Sequence, residues 1–211
     1  MIDKKQFATM MDQSAHALFE AKDALGDIDS KFGDGDHGIA MSKAAQAISQ
    51  KTDEWAQSNY AASIKEYLTD VGMAVMAIGG GSSGPLYGTM IGGLGTRLDD
   101  DIDAIDGPAA KAMFAGSLAE MQDITPAKTG DKTMMDALIP AARATQTLPD
   151  TTDAEKVFRF AAVAAVQGAE ASKNFVSKFG RARSYKEQTI GTPDAGAVST
   201  SLFFEGLAKG L

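Results

Sequence analysis

The chain contains no cysteine, and aromatic residues make up only 7% of its 211 positions. Without cysteine there can be no disulfide, no thiolate nucleophile and no cysteine-ligated zinc or iron–sulfur centre. No apolar run reaches the roughly 18 residues that a membrane-spanning helix needs. The first residues also lack the pattern of a secretory signal peptide. We therefore expect a cytoplasmic protein that does not associate with a membrane.

Positive charge is also scarce, since 28 acidic residues outnumber 20 lysines and arginines and give a net charge of −8. Proteins that bind nucleic acid non-specifically need a basic surface, so this function is not expected. A hydrophobic content of 44% is ordinary for a globular protein. No linker or repeat divides the sequence, and 211 residues are enough for one well-buried core. We predict a single domain over residues 1–211.

Alternating patterns typical of strands are nearly absent, whereas helical periodicity extends along most of the chain. Apolar stripes run from Phe7 to Leu25 and from Tyr60 to Val75. Pro140 should kink its helix or end it early. Further helices are predicted over 38–50, 85–97, 108–122, 132–146, 153–177 and 195–209. The sequence therefore predicts an all-α protein of about eight helices, in which the alanine-rich helix over 153–177 packs closely against its neighbours.

A short acidic segment carries the strongest chemical signal. Asp29, Asp34 and Asp36 are separated by five and two positions and are interspersed with glycines. These side chains can cap a helix or stabilise a turn, but three neighbouring carboxylates repel each other unless a cation compensates. An EF-hand is excluded because its loop, counted from Asp34, needs glycine and glutamate where this chain has Ile39 and Ala45. Mg²⁺ ligation is the favoured interpretation.

Glycines accompany hydroxyl or acidic residues just before four of the predicted helices. The N-terminus of a helix offers unpaired N–H groups that attract phosphate oxygens. These loops would open the second, fourth, sixth and eighth helices, whose N-termini lie at the same end of an up-and-down bundle. The loops span residues 33–38, 79–84, 130–133 and 191–196. The order predicts one composite phosphate site, although the chain has no Walker A motif.

Several side chains in or near these loops have both a structural and a functional interpretation. Arg181 lies in a loop and is our candidate catalytic residue, because a guanidinium can stabilise transferring phosphoryl charge. His37 can cap a turn or contact a phosphate. Ser82 and Ser83 can cap a helix or reach a phosphate oxygen. Met134 can pack in the core or against a flat nucleotide base.

Taken together, the motifs resemble a known family, the ADP-binding L subunit of bacterial dihydroxyacetone kinase. The resemblance spans residues 29–197 and rests on Gly33–Gly38, Gly81–Thr89, Gly130–Met134, Gly180–Ala182 and Ile190–Gly191 followed by Asp194–Ala197. It implies an eight-helix antiparallel up-and-down barrel with a nucleotide cavity at one end. It also implies that Asp29, Asp34 and Asp36 hold two Mg²⁺ ions.

The same resemblance implies a set of residues around bound ADP, or around ATP in some relatives. They are His37, Gly38, Ile39, Ala40, Ser82, Ser83, Met134, Arg181, Asp194, Ala195 and Gly196. The chain departs from the usual family pattern at four positions. The family usually has asparagine at Ala40, commonly histidine at Thr192 and usually proline at Ala195. The fourth is Thr125, which lies near an expected glycine contact.

The function implied by the resemblance is a phosphoryl relay. In the phosphotransferase-system type, a phosphohistidine carrier, the M subunit, phosphorylates tightly bound ADP. The phosphoryl group then passes to dihydroxyacetone, or a similar small ketose, on a separate substrate-binding K subunit. Two alternatives remain open from the sequence. The chain can be the nucleotide-binding subunit of an ATP-dependent ketose kinase, or a non-catalytic regulatory module.

Overall fold

A computed structural model describes residues 1–79 and 81–211, and Gly80, within the predicted loop 79–84, lies outside the described residues. The prediction of an all-α fold is confirmed. The helices are α1 (Lys4–Glu20), α2 (Lys22–Asp29), α3 (His37–Gln57), α4 (Ile64–Met76), α5 (Ser83–Gly93), α6 (Gly107–Ile124), α7 (Met135–Gln146), α8 (Ala154–Ala171) and α9 (Ala195–Lys209). Two 3₁₀ helices cover Ser172–Asn174 and Arg181–Thr189.

A short pairing of two strands, which the sequence does not predict, joins the N-terminus to the connection before α6. The strands β1 (Ile2–Asp3) and β2 (Ala104–Ile105) run antiparallel. Ile2 and Ile105 lie opposite each other and are both fully buried. The pairing therefore attaches the start of α1 to the hydrophobic core.

The helices pack as a closed ring. From α3 onwards each helix contacts the next one in the chain, α1 contacts α3, and α9 packs against α1 to close the barrel. The ring is the predicted eight-helix barrel, because the first predicted helix is interrupted at Ala21 and forms both α1 and α2. No helix in the described part of the chain has the length and apolar character needed to cross a membrane.

Close contact between α2 and α3 depends on Gly38. A Cβ atom at this position would lie 1.8 Å from the Lys22 carbonyl oxygen, so only glycine permits this approach. Leu25 of α2 is fully buried on the same side of the barrel. The packing fixes the first turns of α2, at Lys22 and Gly26, against the N-terminus of α3, and the acidic segment of the sequence connects the two helices.

The alanine-rich helix α8 lies within the barrel wall, in contact with α6, α7 and α9. Its predicted close packing is confirmed, since Ala161 and Ala165 are fully buried. The helix α7 continues through Pro140 rather than ending there. Proline cannot donate to the carbonyl of Asp136 one turn earlier. That carbonyl oxygen would lie 1.9 Å from a Cβ atom on Gly168, so α8 approaches α7 very closely at this point.

Candidate functional site

A cavity of about 500 Å³ opens at one end of the barrel. Its wall includes residues from the loops that precede α3, α5, α7 and α9, together with residues around the start of the second 3₁₀ helix. Alternation of helix direction around the ring brings these four loops to one rim, as the order of the loops along the sequence predicts. The volume lies in the range of small-molecule sites in proteins, about 300 to 1,000 Å³.

Three carboxylates converge at one side of the cavity. Asp29 is the last residue of α2, whereas Asp34 and Asp36 lie in the loop that leads into α3. Each offers an oxygen atom, and these oxygens lie within 4.8 Å of one another. A Cβ atom on Gly33 would lie 2.4 Å from Asp29 Oδ1, so the missing side chain leaves the space that the carboxylate occupies. The set of hard oxygen donors fits Mg²⁺.

Arg181 reaches this carboxylate cluster from the opposite wall. Its guanidinium forms an ion pair with Asp34, and its side chain remains 69% exposed. The preceding Gly180 has a φ of +61°, a left-handed conformation that suits glycine. Farther along the same 3₁₀ helix, the ring of Tyr185 packs on Phe32 with 5.2 Å between ring centroids. Two contacts therefore hold this segment against the acidic loop.

His37, the first residue of α3, is hydrogen-bonded to α9, the helix on the other side of α1. Its Nε2 atom lies 2.7 Å from the hydroxyl oxygen of Ser199 in α9. The hydroxyl of Tyr87 hydrogen-bonds to that same serine and donates to the Gly196 carbonyl at 3.1 Å. Burial lowers the pKa of His37, while the charge of Asp29 acts in the opposite direction. The ring is therefore held in a fixed orientation at the cavity wall.

Two of the four helices around the cavity, α3 and α5, begin without a side-chain hydrogen bond to their first turn. The start of α7 is different, because the Thr133 hydroxyl accepts from the Met135 backbone N–H at 3.2 Å. Ser82, the N-cap residue of α5, lines the cavity together with Ser83 and with Met134, the N-cap residue of α7. In α3 and α5, backbone N–H groups of the first turn lack partners within the helix. They can donate hydrogen bonds to a negatively charged ligand in the cavity.

The loop before α7 is held from inside by a carboxylate. Asp136 is fully buried, and it accepts hydrogen bonds from the backbone N–H groups of Gly130 at 2.6 Å and Thr133 at 2.7 Å. Burial raises the pKa of Asp136, and these two hydrogen bonds partly oppose the shift. Lys132, in the centre of the loop, lines the cavity with only 4% of its surface exposed.

The loop before α9 differs from the other three because an acidic side chain caps the helix. Asp194 accepts a hydrogen bond from the backbone N–H of Ala197 at 2.8 Å. Burial raises the pKa of Asp194 to about 7, and the nearby Asp136 adds to the shift. Ala195 and Gly196 follow at the cavity wall. A group that titrates near neutral pH therefore lies beside the predicted nucleotide contacts.

The structure brings together most of the residues expected around a nucleotide, but three of them lie outside the cavity wall. Gly38 packs against α2, Ile39 is 62% exposed and the side chain of Ala40 belongs to the hydrophobic core. Other wall residues are absent from the sequence-based site. They include Phe32, Tyr87, Lys132, Thr133, Phe179 and Pro193. Four of these, Tyr87, Lys132, Thr133 and Pro193, lie within motifs or loops that the sequence singled out.

The fold and the site define a helical barrel with a carboxylate cluster and open helix N-termini at one rim. The model of one protein family, described as the DAK2 domain, matches residues 31–209. The chain belongs to the DAK2 domain family.

Relatives of two different lengths show this similarity. The D-erythrulose kinase of Mycolicibacterium smegmatis is 34% identical over 200 residues, which are 92% of this chain and 33% of that protein. The ADP-binding subunit DhaL of a PEP-dependent dihydroxyacetone kinase of Listeria innocua is 28% identical over 215 residues, with 100% of this chain and 96% of that protein covered. The chain thus spans about a third of the length of the erythrulose kinases that it matches.

A solved structure has the same architecture. The dihydroxyacetone kinase from C. freundii, crystallised in complex with AMP-PNP and Mg²⁺, superimposes with a TM-score of 0.71 at 25% identity. The match covers 96% of this chain and 33% of that chain. The helical barrel therefore corresponds to about a third of a larger kinase.

Proposed function

We propose that residues 1–211 act as one nucleotide-binding unit of a kinase that phosphorylates dihydroxyacetone or a similar small ketose. In this proposal the cavity holds ADP and Mg²⁺, and the ketose is bound by a separate K subunit. Bound ADP would supply the site with a group that accepts phosphoryl from a phosphohistidine carrier, the M subunit, and passes it to the ketose. One observation carries the proposal: a carboxylate cluster faces open helix N-termini across a single cavity.

The aspartate cluster supplies the metal-binding part. Asp29, Asp34 and Asp36 offer charged oxygens at distances that one or two hard cations can bridge. The ion pair between Asp34 and Arg181 indicates that the cluster already attracts positive charge. We propose that these three aspartates hold two Mg²⁺ ions and so neutralise the phosphates of the nucleotide.

The other walls supply the phosphate- and base-binding parts. Ser82 and Ser83 place hydroxyl groups and backbone N–H groups of α5 at the cavity, where they can contact phosphate oxygens. Met134 offers a polarizable side chain to a flat base. Arg181 can form charge-assisted hydrogen bonds to a transferring phosphoryl group and stabilise its charge. His37, fixed by Ser199, presents an oriented imidazole beside the aspartate cluster.

The proposed phosphoryl donor is supported by the name of one relative. The Listeria innocua protein is named as an ADP-binding subunit of a PEP-dependent dihydroxyacetone kinase, and this similarity favours the relay. The erythrulose kinases match more closely in identity, at 34%, and favour a second candidate, a nucleotide-binding part of an ATP-dependent kinase that acts on a four-carbon ketose.

The nucleotide itself provides the most direct test of binding. Purified wild-type protein should retain ADP and Mg²⁺ through dialysis, as measured by mass analysis of the released nucleotide. Asp36→Asn should reduce Mg²⁺-dependent nucleotide affinity at least tenfold without changing the helical circular dichroism, because one charged ligand is lost. Asp99→Asn is the control, since this aspartate lies on an exposed connection. Equal affinity of the two variants would rule out the aspartate cluster as the metal site.

A transfer assay separates the relay from the ATP-dependent kinase and from a regulatory module. The chain is mixed with a K subunit, a ketose and either ATP or the phosphocarrier system with phosphoenolpyruvate. Ketose phosphate formed only with the phosphocarrier system supports the relay. Formation with ATP alone supports the second candidate. If neither donor yields product although nucleotide is bound, the chain is not a phosphotransferase subunit, and a regulatory role replaces the proposal.

A further inference from the structure

Lys132 is a buried cationic side chain that the proposed reaction does not use. It lies in the loop before α7, and its backbone has a φ of +61° in the left-handed region, which non-glycine residues rarely adopt. Only 4% of its surface is exposed, although it lines the cavity. A buried ammonium is costly unless its hydrogen-bond donors find partners.

The ammonium of Lys132 finds its partners in two other segments of the chain. It donates to the Ser172 carbonyl at 2.7 Å, at the end of α8, and to the Thr192 carbonyl, in the loop before α9. Two further bonds join the same segments: the Ser172 hydroxyl accepts from the Asp194 backbone N–H at 2.9 Å, and the Lys173 carbonyl accepts from Gly191 at 2.8 Å. A single side chain thus links the loops before α7 and α9 through the end of α8.

The charges around Lys132 agree with a fixed position. Burial lowers the pKa of Lys132, but the carboxylates of Asp194 and Asp136 favour its charged form. The positive charge in turn opposes the upward shift of the Asp194 pKa. The contacts of Lys132 therefore act on the turn that ends at Asp194 and leads into Ala195 and Gly196 at the start of α9. These three residues are expected around the nucleotide.

We propose that Lys132 is a positioning residue that holds the turn of residues 192–194 in place as one wall of the nucleotide cavity. The expected effect on nucleotide affinity rests on the proposed function. The role of Lys132 in holding the turn does not depend on it. Lys132 acts through the carbonyl oxygens of Ser172 and Thr192 and so needs no direct contact with the ligand. The aspartate cluster belongs to a different loop and should not depend on it.

Lys132→Met tests the inference, because methionine keeps an unbranched apolar chain as far as the Cε position and removes the ammonium with its donors and its charge. In the protein without nucleotide, we expect amide hydrogen exchange at Gly191 and Asp194 to accelerate at least tenfold. Exchange in α1 should not change. Affinity for ADP in the presence of Mg²⁺ should fall at least tenfold, while affinity for Mg²⁺ alone stays within twofold. A general loss of stability would not lower the affinity for ADP while leaving the affinity for Mg²⁺ unchanged.

Lys173→Met is the matched control, since the side chain of this lysine, next to Ser172, is 41% exposed and its ammonium pairs with Glu170 on the surface. Lys132→Gln is the second variant, to be used if the methionine variant does not fold. Glutamine is neutral and one atom shorter than lysine, so exchange at Gly191 and Asp194 should again accelerate. The acceleration should be smaller, at least threefold, because glutamine keeps two N–H donors. Wild-type exchange rates in the variant that folds would overturn the inference. Accelerated exchange in a chain that binds no ADP would overturn the proposed function and leave the role of Lys132 standing.

Discussion

Gly33 and the Asp29 carboxylate share a space that has no room for another side chain. The loop closes as a tight turn, in which the Gly33 backbone N–H donates to the Asp29 carbonyl at 2.6 Å. A Cβ atom on Gly33 would also lie 3.0 Å from that same carbonyl oxygen. The glycine therefore lets the carboxylate turn towards Asp34 and Asp36, and this orientation is what makes three ordinary aspartates a candidate metal site.

We expect Gly33→Ala to weaken Mg²⁺ binding at least tenfold, because the new methyl group collides with Asp29 Oδ1. Calorimetric titration with Mg²⁺ measures the effect. Gly92→Ala is the matched control, since its Cβ atom would have ordinary contacts at 3.6 Å. If both alanine variants bind Mg²⁺ like the wild type, Asp29 is not one of the ligands.

Asp194 should make the stability of the protein depend on pH near neutrality. Burial raises the pKa of this carboxyl to about 7, above its ordinary value of 3.8. The folded state therefore binds more protons than the unfolded state between these values, so the free energy of unfolding decreases as pH rises from about 4 to 7. A difference of one unit between the folded-state and unfolded-state pKa corresponds to about 1.4 kcal/mol in the free energy of unfolding. We expect the total decrease in this free energy to be only about 2 kcal/mol, because the side chain lies at an open cavity and is partly screened by solvent.

Asp194→Asn checks this prediction by removing the titrating group. Asparagine is also a good helix cap, so α9 should remain intact. Urea unfolding at several pH values should show a shallower decrease for the variant than for the wild type over this range. Parallel pH profiles for the two proteins would show that the Asp194 carboxyl does not titrate there.

The helices around the cavity begin in two different ways, and the difference follows from local sequence. A carboxylate caps α9 and the Thr133 hydroxyl bonds to the first residue of α7, whereas the starts of α3 and α5 have no side-chain cap. Helices that begin away from the cavity have polar caps, such as Asp106 for α6 and the capping box of Ser63 with Glu66 for α4. Capping thus stabilises one end of the barrel and leaves donors available at the other.

Contact between α7 and α8 depends on Gly168 because of the proline in α7. Gly168→Ala would place a methyl group 1.9 Å from the Asp136 carbonyl oxygen, so one helix must move. We expect a loss of about 3 kcal/mol in the free energy of unfolding. Denaturant titration measures it, with Gly92→Ala as the control. A loss below about 1 kcal/mol would mean that the helices separate easily and that the close approach is not essential.

Closure of the ring by α9 against α1 couples the cavity to the whole barrel. All four loops at the cavity belong to helices whose other surfaces form the hydrophobic core. A ligand that bridges the loops should therefore stabilise the folded chain as a unit. Ligand at a hundred times its dissociation constant contributes about 2.7 kcal/mol.

We expect ADP with Mg²⁺ at that concentration to raise the unfolding temperature by about 5 to 10 °C. Chelation of the metal with EDTA should abolish most of this increase, since the phosphates would then face uncompensated carboxylates. Differential scanning calorimetry measures both effects. An equal increase with ADP in the presence of EDTA would show that the nucleotide binds independently of the aspartate cluster.

Local patterns in the sequence determined the helices, the position of the four loops and the acidic segment. Helical periodicity and glycine placement depend on neighbouring residues, so the all-α class and the order of loops could be predicted. The boundaries were less accurate: α5 begins at Ser83 instead of Pro85, and the first helix is broken at Ala21. The three aspartates already indicated Mg²⁺, and the resemblance to a family added the eight-helix barrel and the bound ADP.

Only the tertiary structure decided which side chains face the cavity. Periodicity does not show that Ala40 packs into the core, or that Lys132 in the centre of a polar loop is buried and bonded to two distant carbonyl oxygens. It also does not show that Arg181 reaches Asp34. These contacts join residues up to 147 positions apart. They form because closure of the helical ring brings the loops together, and the spacing of residues along the sequence does not predict that closure.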